Sequence, residues 1–160
     1  MSRELPVFGI YEKALRPGSF REMFSDARDA GYQAFELSID ATDRRLGRLE
    51  WGREEIREVW QAALEQDIRL LTMCLSGHKR FPLGSSDPET VKTGMKIMEK
   101  AICIGRRLGI RVIQLSGFDV YDQEEPTPET RKREVENIRR AQALAARESV
   151  RLALEPEEGN

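Results

Sequence analysis

The chain has 160 residues, with 26 Lys and Arg against 28 Asp and Glu, a formal net charge of −2, and 39% apolar residues. That length suits one well-packed domain rather than two, and balanced charge offers no one-signed basic face for nucleic acid or an anionic membrane. No apolar stretch approaches the roughly 20 residues that span a bilayer, and the opening MSRELPVFGIYEK lacks the apolar core of a secretion signal. Cys74 and Cys103 therefore read as reduced thiols of a cytoplasmic protein, with Cys74 packed inside an apolar run.

The elements alternate along the chain. VFGIY (7–11) reads as a short strand. Ser19 then caps a helix with Phe20, Met23, Phe24 and Ala27 at helical spacing, closed by Gly31. AFELSI (34–39) is a second strand. After a polar loop, Ile56, Val59, Trp60, Ala63 and Leu64 mark a second helix, with Trp60 expected in the core. IRLLTMCL (68–75) is the third strand. Asp87 and Pro88, an N-cap followed by proline in the first turn, open a long helix carrying Val91, Met95, Met98 and Ile102 and ending near Gly109. IRVIQLS (110–116) is the fourth strand. Thr127 and Pro128 start a fourth helix running through Val135, Ile138 and Ala145, and VRLALE (150–155) is the fifth strand.

Strict strand–helix alternation implies right-handed βαβ units and a parallel sheet. A doubly wound sheet gathers its ligand groups at one switch point, whereas a TIM barrel places chemistry after every strand. Here every strand end is decorated: Glu12 and Lys13; Glu36, Ser38 and Asp40; Ser76, His78, Lys79 and Arg80; Gln114, Ser116 and Asp119; Glu155. The expected fold is therefore an α/β parallel TIM barrel, with residues 1–160 as the N-terminal part of one domain: the first five strands and four helices of eight. The strands should pair in the order one to five, not 2-1-3-4-5.

Four blocks carry a resemblance: GIYEKAL (9–15), ELSIDATDRRLGRLEW (36–51), MCLSGHKRFPLGS (73–85) and GIRVIQLSGFDVY (109–121). In order and spacing they resemble the L-ribulose-5-phosphate 3-epimerases, also called L-xylulose-5-phosphate 3-epimerases. The resemblance implies a xylose-isomerase-like barrel, a divalent metal (Mn, Mg, Zn or Co), and interconversion of pentulose 5-phosphates in L-ascorbate or related sugar catabolism. It also implies a homodimer. That family's metal ligands are a Glu, an Asp, a His and a second Glu on the fifth to eighth strands. Only Glu155 matches, as the first of them, so it is expected as metal ligand and catalytic acid/base. The following PEEGN departs from the family pattern.

The remaining candidates contact substrate by position. His78 is the one histidine and stands between an apolar strand and two cations. Ser76, His78, Lys79 and Arg80 are expected to grip a phosphate or sugar hydroxyl, since cations and backbone N–H groups at a rim hold a dianion. The alternative is a solvated cation pair with His78 in one local hydrogen bond. Glu12 and Lys13 either touch substrate or form a rim salt bridge. Asp40, Asp43, Arg44 and Arg45 read as a solvated charged loop, with a rim or interface role as the alternative that the resemblance implies; Gly117, Asp119 and Tyr121 as a pocket wall or an ordinary loop. Two other classes compete with the epimerase: a non-catalytic βα module, and another isomerase or endonuclease of the same barrel type. The 160-residue chain by itself is expected to bind metal weakly and to be inactive.

Overall fold

Residues 6–122 and 124–155 are described in a computed structural model. Its strands are β1 (Gly9–Tyr11), β2 (Ala34–Ile39), β3 (Arg69–Leu75), β4 (Val112–Ser116) and β5 (Arg151–Glu155). All pair in parallel, in the order β1-β2-β3-β4-β5. The doubly wound alternative is thereby excluded. Between the strands run α1 (Phe20–Asp29), α2 (Asp43–Leu46), α3 (Arg53–Glu65), α4 (Pro88–Leu108) and α5 (Pro128–Arg147). Every strand neighbours its successor, so right-handed crossovers place all the helices on one face.

Local chemistry sets the boundaries. Ser19 and Glu22 form a reciprocal capping box, with the Ser19 N–H donating to Glu22 at 2.8 Å. Asp87 accepts from the N–H groups of Glu89 and Thr90, and Gly109 closes α4 at φ +75°, a conformation that glycine adopts without strain. One apolar core joins the helices to the sheet: Phe24 and Phe35 meet edge to face at 4.8 Å, and Leu37, Ile39, Met73, Met98 and Ile113 are fully buried. On β2 the buried Phe35, Leu37 and Ile39 alternate with Glu36 and Ser38, as the two-residue period of a strand requires. The face turned away from the helices is consequently polar.

Several expectations need correction. The first strand begins at Gly9 because Val7 and Phe8 remain exposed, the Phe8 carbonyl accepting from the N–H groups of Gln33 and Ala34. Trp60 is not core: it lies 40% exposed, its Nε1 donating to the Arg107 carbonyl at 3.1 Å. Leu64 is exposed too. Of the charged loop, Asp43 and Arg44 are exposed as read, whereas Asp40 and Arg45 are largely covered and ion-paired; residues 43–50 form α2 and a 3-10 turn, Gly47–Glu50, α2 being a fifth helix beyond the expected four. On α5 the inward stripe is Thr130, Glu134, Asn137, Ala141 and Ala145, with Val135 turned out. The small alanines bring that face of the helix close to the sheet, while its first half meets backbone carbonyls instead of apolar side chains.

Candidate functional site

Strand register gathers the helix-free side chains into one polar row. Tyr11 is paired with Glu36, Ser38 with Cys74, Cys74 with Gln114, and Ser116 with Glu155. The Tyr11 hydroxyl and Ser38 Oγ lie 3.1 Å apart. Burial pushes the Tyr11 phenol up to about 12, against the hydrogen bond from Ser38, so it stays protonated as a donor at neutral pH. Burial likewise raises the Cys74 thiol, consistent with the packing role expected for it. At the far end, Gln114 Nε2 donates to Glu155 Oε2 at 2.5 Å, and Glu155 is exposed.

Glu12 forms the most heavily bonded carboxylate of the rim. It is 2% exposed and receives both terminal nitrogens of Arg48, at 2.6 and 2.7 Å, and the Ser38 N–H at 2.9 Å. Arg45 approaches the same carboxylate at 2.9 Å. The Arg48 guanidinium also donates to the Ser38 carbonyl and lies over the rings of Phe20 and Trp51. Next to it, Lys13 meets Asp40 at 2.7 Å. Burial acts to raise the Asp40 carboxyl, but Lys13 and the Thr42 hydroxyl and N–H outweigh it and bring it to about 2. The salt-bridge alternative thus describes both Glu12 and Lys13. Arg48 escaped the sequence reading because 36 residues separate it from Glu12; a guanidinium followed at three residues by Trp51 was the available signal.

The four residues after β3 do not stay together. Ser76 ends the strand half-buried, its N–H bonded to the Ile39 carbonyl. His78 turns inward, 7% exposed, with Nε2 at 3.1 Å from the Gly94 carbonyl. Burial pushes its imidazole down to about 4, against the Gly94 hydrogen bond, so at neutral pH it is an uncharged structural group. Its place in the sequence suggests a ligand contact at the rim; the apolar strand before it instead carries it under the β3–α4 segment. Lys79 and Arg80 point outward, Arg80 paired with Asp43 at 2.5 Å and stacked on Phe81, Lys79 at 6.0 Å from the Tyr121 ring centroid. They border a cavity of about 720 Å³ whose other wall is Phe118, Val120, Tyr121 and Asp122 of the β4–α5 loop.

Asp119 belongs to that loop but is buried, not part of the wall. Its carboxylate accepts from the Thr130 hydroxyl, and its carbonyl accepts the Gly84 N–H at 3.0 Å. Glu134, one turn further along α5, is 8% exposed.

For a metal centre the described residues fall short. They contain no group of three His, Cys, Asp or Glu able to hold an ion. Glu155 is one anionic oxygen donor set with an amide beside it, suited to be a single ligand of a hard or borderline cation and insufficient to fix its geometry. Residues 156–160, where the pattern changes to PEEGN, lie outside the described residues.

A parallel sheet in sequential order, helices on one face and charged groups at every strand end define a segment of a (β/α) barrel. The chain belongs to the xylose isomerase-like TIM barrel family, whose model matches residues 24–160. It is 44% identical over 156 residues to the L-ribulose-5-phosphate 3-epimerase UlaE of Escherichia coli O157:H7, and equally so to that of Shigella sonnei, covering 97% of this chain and 54% of each relative. The chain thus spans about half the length of the curated relatives it matches. Among solved structures, a D-psicose 3-epimerase crystallised in the presence of D-fructose superposes with a TM-score of 0.74 at 19% identity, over 91% of this chain and 50% of that one. An L-ribulose 3-epimerase superposes at 0.69 and 19% identity, over 94% and 49%. At that identity the structures speak to the fold alone. Among the described residues no helix is long and apolar enough to cross a membrane.

Proposed function

We propose that this chain supplies the N-terminal half-barrel of a sugar-phosphate 3-epimerase that interconverts L-ribulose 5-phosphate and L-xylulose 5-phosphate. The observation that carries the reading is the 44% identity to UlaE, extending over 97% of the chain. Epimerisation at C3 of a ketose takes a proton from the carbon next to the carbonyl and returns one to the opposite face, which calls for two acid/base groups on opposite sides. Glu155 is suited to be one of them: it stands exposed at the end of β5, and Gln114 fixes its Oε2. The one other carboxylate of the polar row, Glu36, stands on β2, three strands from Glu155 on β5, and is not assigned the opposing role. The divalent metal and the homodimer expected from the resemblance belong to the same reading. With no group of three ligating side chains among the described residues, no step is derived through a metal. Lys79 and Arg80 remain the candidates for the substrate phosphate, while Glu12 and His78 support the rim from inside.

The test is a hybrid barrel, residues 1–155 of this chain joined to the C-terminal half of the Escherichia coli relative. Turnover of L-ribulose 5-phosphate that is lost in Glu155→Gln is the expected result. A folded hybrid without turnover would overturn the proposal. The 160-residue chain alone should be inactive, because its described residues offer no group of three ligating side chains to hold a metal beside Glu155.

A further inference from the structure

The rim above β1 and β2 carries more positive charge than its carboxylates use. Lys13, Arg45 and Arg48 face Glu12 and Asp40, so three cations meet two carboxylates. Both carboxylates are satisfied without Arg45. Glu12 accepts from both terminal nitrogens of Arg48 and from the Ser38 N–H. Asp40 accepts the Thr42 N–H at 3.0 Å and hydroxyl at 2.6 Å on one oxygen, and meets Lys13 Nζ at 2.7 Å with the other.

Arg45 is the surplus cation. Its Nη1 comes within 2.9 Å of Glu12 but out of line for a hydrogen bond, and this enclosed nitrogen has no hydrogen-bond partner among the described residues. Its Nε stands 3.5 Å from Asp40. A guanidinium carries five N–H donors, and a covered donor without an acceptor is costly. Arg48, three residues on, is the matched case, donating to Glu12 and to the Ser38 carbonyl. Yet 18% of the Arg45 side chain stays open, so a ligand can reach it. The backbone that carries it is firmly seated: a Cβ on Gly77 would lie 2.9 Å from Cδ2 of Leu46, the residue after Arg45.

The cations also border the polar row. Burial dominates the rise of the Tyr11 phenol, and the Arg45 charge acts against it; burial likewise dominates at Cys74, where Lys13 acts against it and Glu36 with it. The protonated Tyr11 hydroxyl and Ser38 Oγ add neutral hydrogen-bonding groups at the same strand ends.

We propose that Arg45, with Lys13 beside it, is an anion receptor that takes a phosphate monoester at the mouth of the polar row. A planar guanidinium pairs phosphate oxygens two at a time, and Lys13, whose side chain is 42% exposed, shares the second negative charge. Glu12 stays paired through Arg48 and Ser38 when Arg45 turns to the ligand. The ligand class follows from charge and donor geometry; only the assignment of the phosphate to a sugar rests on the reaction proposed above. Lys79 and Arg80 are the competing holders.

Titration of the 160-residue chain with inorganic phosphate, followed in proton–nitrogen correlation spectra, tests the receptor. The Arg45 Nε–H signal should shift with phosphate. Arg45→Gln should weaken binding about tenfold or more, the effect of losing a charge-assisted hydrogen bond. Arg45→Lys, which keeps the charge but not the fork, should fall between the two. Asp40→Asn, which frees Lys13, should tighten binding. Lys79→Ala and Arg80→Ala should leave it unchanged. The Ser76 amide, bonded to the Ile39 carbonyl, should keep its position in every variant and so mark an intact sheet. Should Arg45→Gln fail to fold, Arg45→Lys and Asp40→Asn decide by their opposite signs. Displacement of phosphate by L-ribulose 5-phosphate, and not by L-ribulose, assigns the receptor to the sugar substrate. A receptor that holds inorganic phosphate and ignores the sugar phosphate would stand, and would count against the proposed reaction instead. Shifts centred on Lys79 and Arg80, or binding unaltered in the Arg45 and Asp40 variants, overturn the receptor.

Discussion

Glu12 and Glu134 are both buried carboxylates behind the same rim, and their surroundings are opposite. Glu12 receives a bidentate guanidinium, a second arginine and a backbone N–H. Among the described residues Glu134 has no hydrogen-bond donor, its carboxylate oxygens are not fully enclosed, and Asp119 is the charge that adds to burial in raising its pKa. A matched buried ion pair need not stabilise relative to apolar residues, but breaking it strands a charge. An unmatched carboxylate is the reverse case: removing its charge relieves the fold. One substitution, Glu to Gln, should therefore have opposite signs at the two positions, and that contrast can be broken experimentally.

The largest effect belongs to Glu12→Gln. It leaves Arg48 and Arg45 buried beside a neutral amide and should cost about 3–5 kcal/mol in urea denaturation at pH 7. A loss below about 1 kcal/mol would mean that water or rearranged side chains already neutralise the arginines, as at exposed pairs.

His78 provides the second test, on a buried base instead of a buried acid. Its folded pKa, about 4, lies below the ordinary histidine value of 6.5. The unfolded chain therefore binds the proton first, and stability is complete above pH 6.5 and lost as pH falls from there towards 4. A depression of that size corresponds to a loss of about 3 kcal/mol. His78→Gln, which keeps a hydrogen-bonding group for the Gly94 carbonyl, should flatten the part of the acid profile below pH 6.5. An unchanged profile would show that His78 is reached by water.

What the sequence made legible follows from the range of the interactions. Caps such as Ser19 with Glu22 and Asp87 with Thr90 act within three residues, and the helices they open lie where the spacing sets them. Strand order was legible because alternation and decorated strand ends leave few parallel topologies. The rim was legible only in part. Glu155 and Lys79 sit exposed at strand ends as expected, whereas Glu12 owes its burial to an arginine 36 residues away and His78 to a carbonyl 16 residues away. The α5 stripe was misread because Thr130, Glu134 and Asn137 are polar, and a periodicity of apolar residues does not register a face that docks on backbone carbonyls.

Glu134→Gln is the third test and the direct counterpart of Glu12→Gln. The folded-state pKa of Glu134 is raised, so its contribution is complete below the ordinary glutamate value near 4.5 and lost as pH rises through about 7. The variant should match the unmodified chain at pH 5 and exceed it at pH 8.5 by about 1 kcal/mol, the full shift being reduced by screening through nearby solvent. A destabilised variant at pH 8.5 would mean that the carboxylate has a partner in solution, and the contrast with Glu12 would disappear.

The smallest effect is expected at Arg80. Its pair with Asp43 is short, 2.5 Å, but both side chains lie in solvent, 50% and 90% exposed. Water at such a site screens the attraction, and ordering two long side chains offsets most of what remains, so Arg80→Ala should change stability by less than about 1 kcal/mol. Salt should erase even that, since exposed charges are screened within about 8–10 Å at physiological ionic strength. The same short contact geometry that at Arg48 accompanies a large penalty would then accompany almost none, the difference being the water around it. Denaturation of Arg80→Ala in low salt and in 0.5 M NaCl decides the point. A loss of several kcal/mol that persists in high salt would show that Arg80 is anchored by its stacking on Phe81 as firmly as Arg48 is by Phe20 and Trp51.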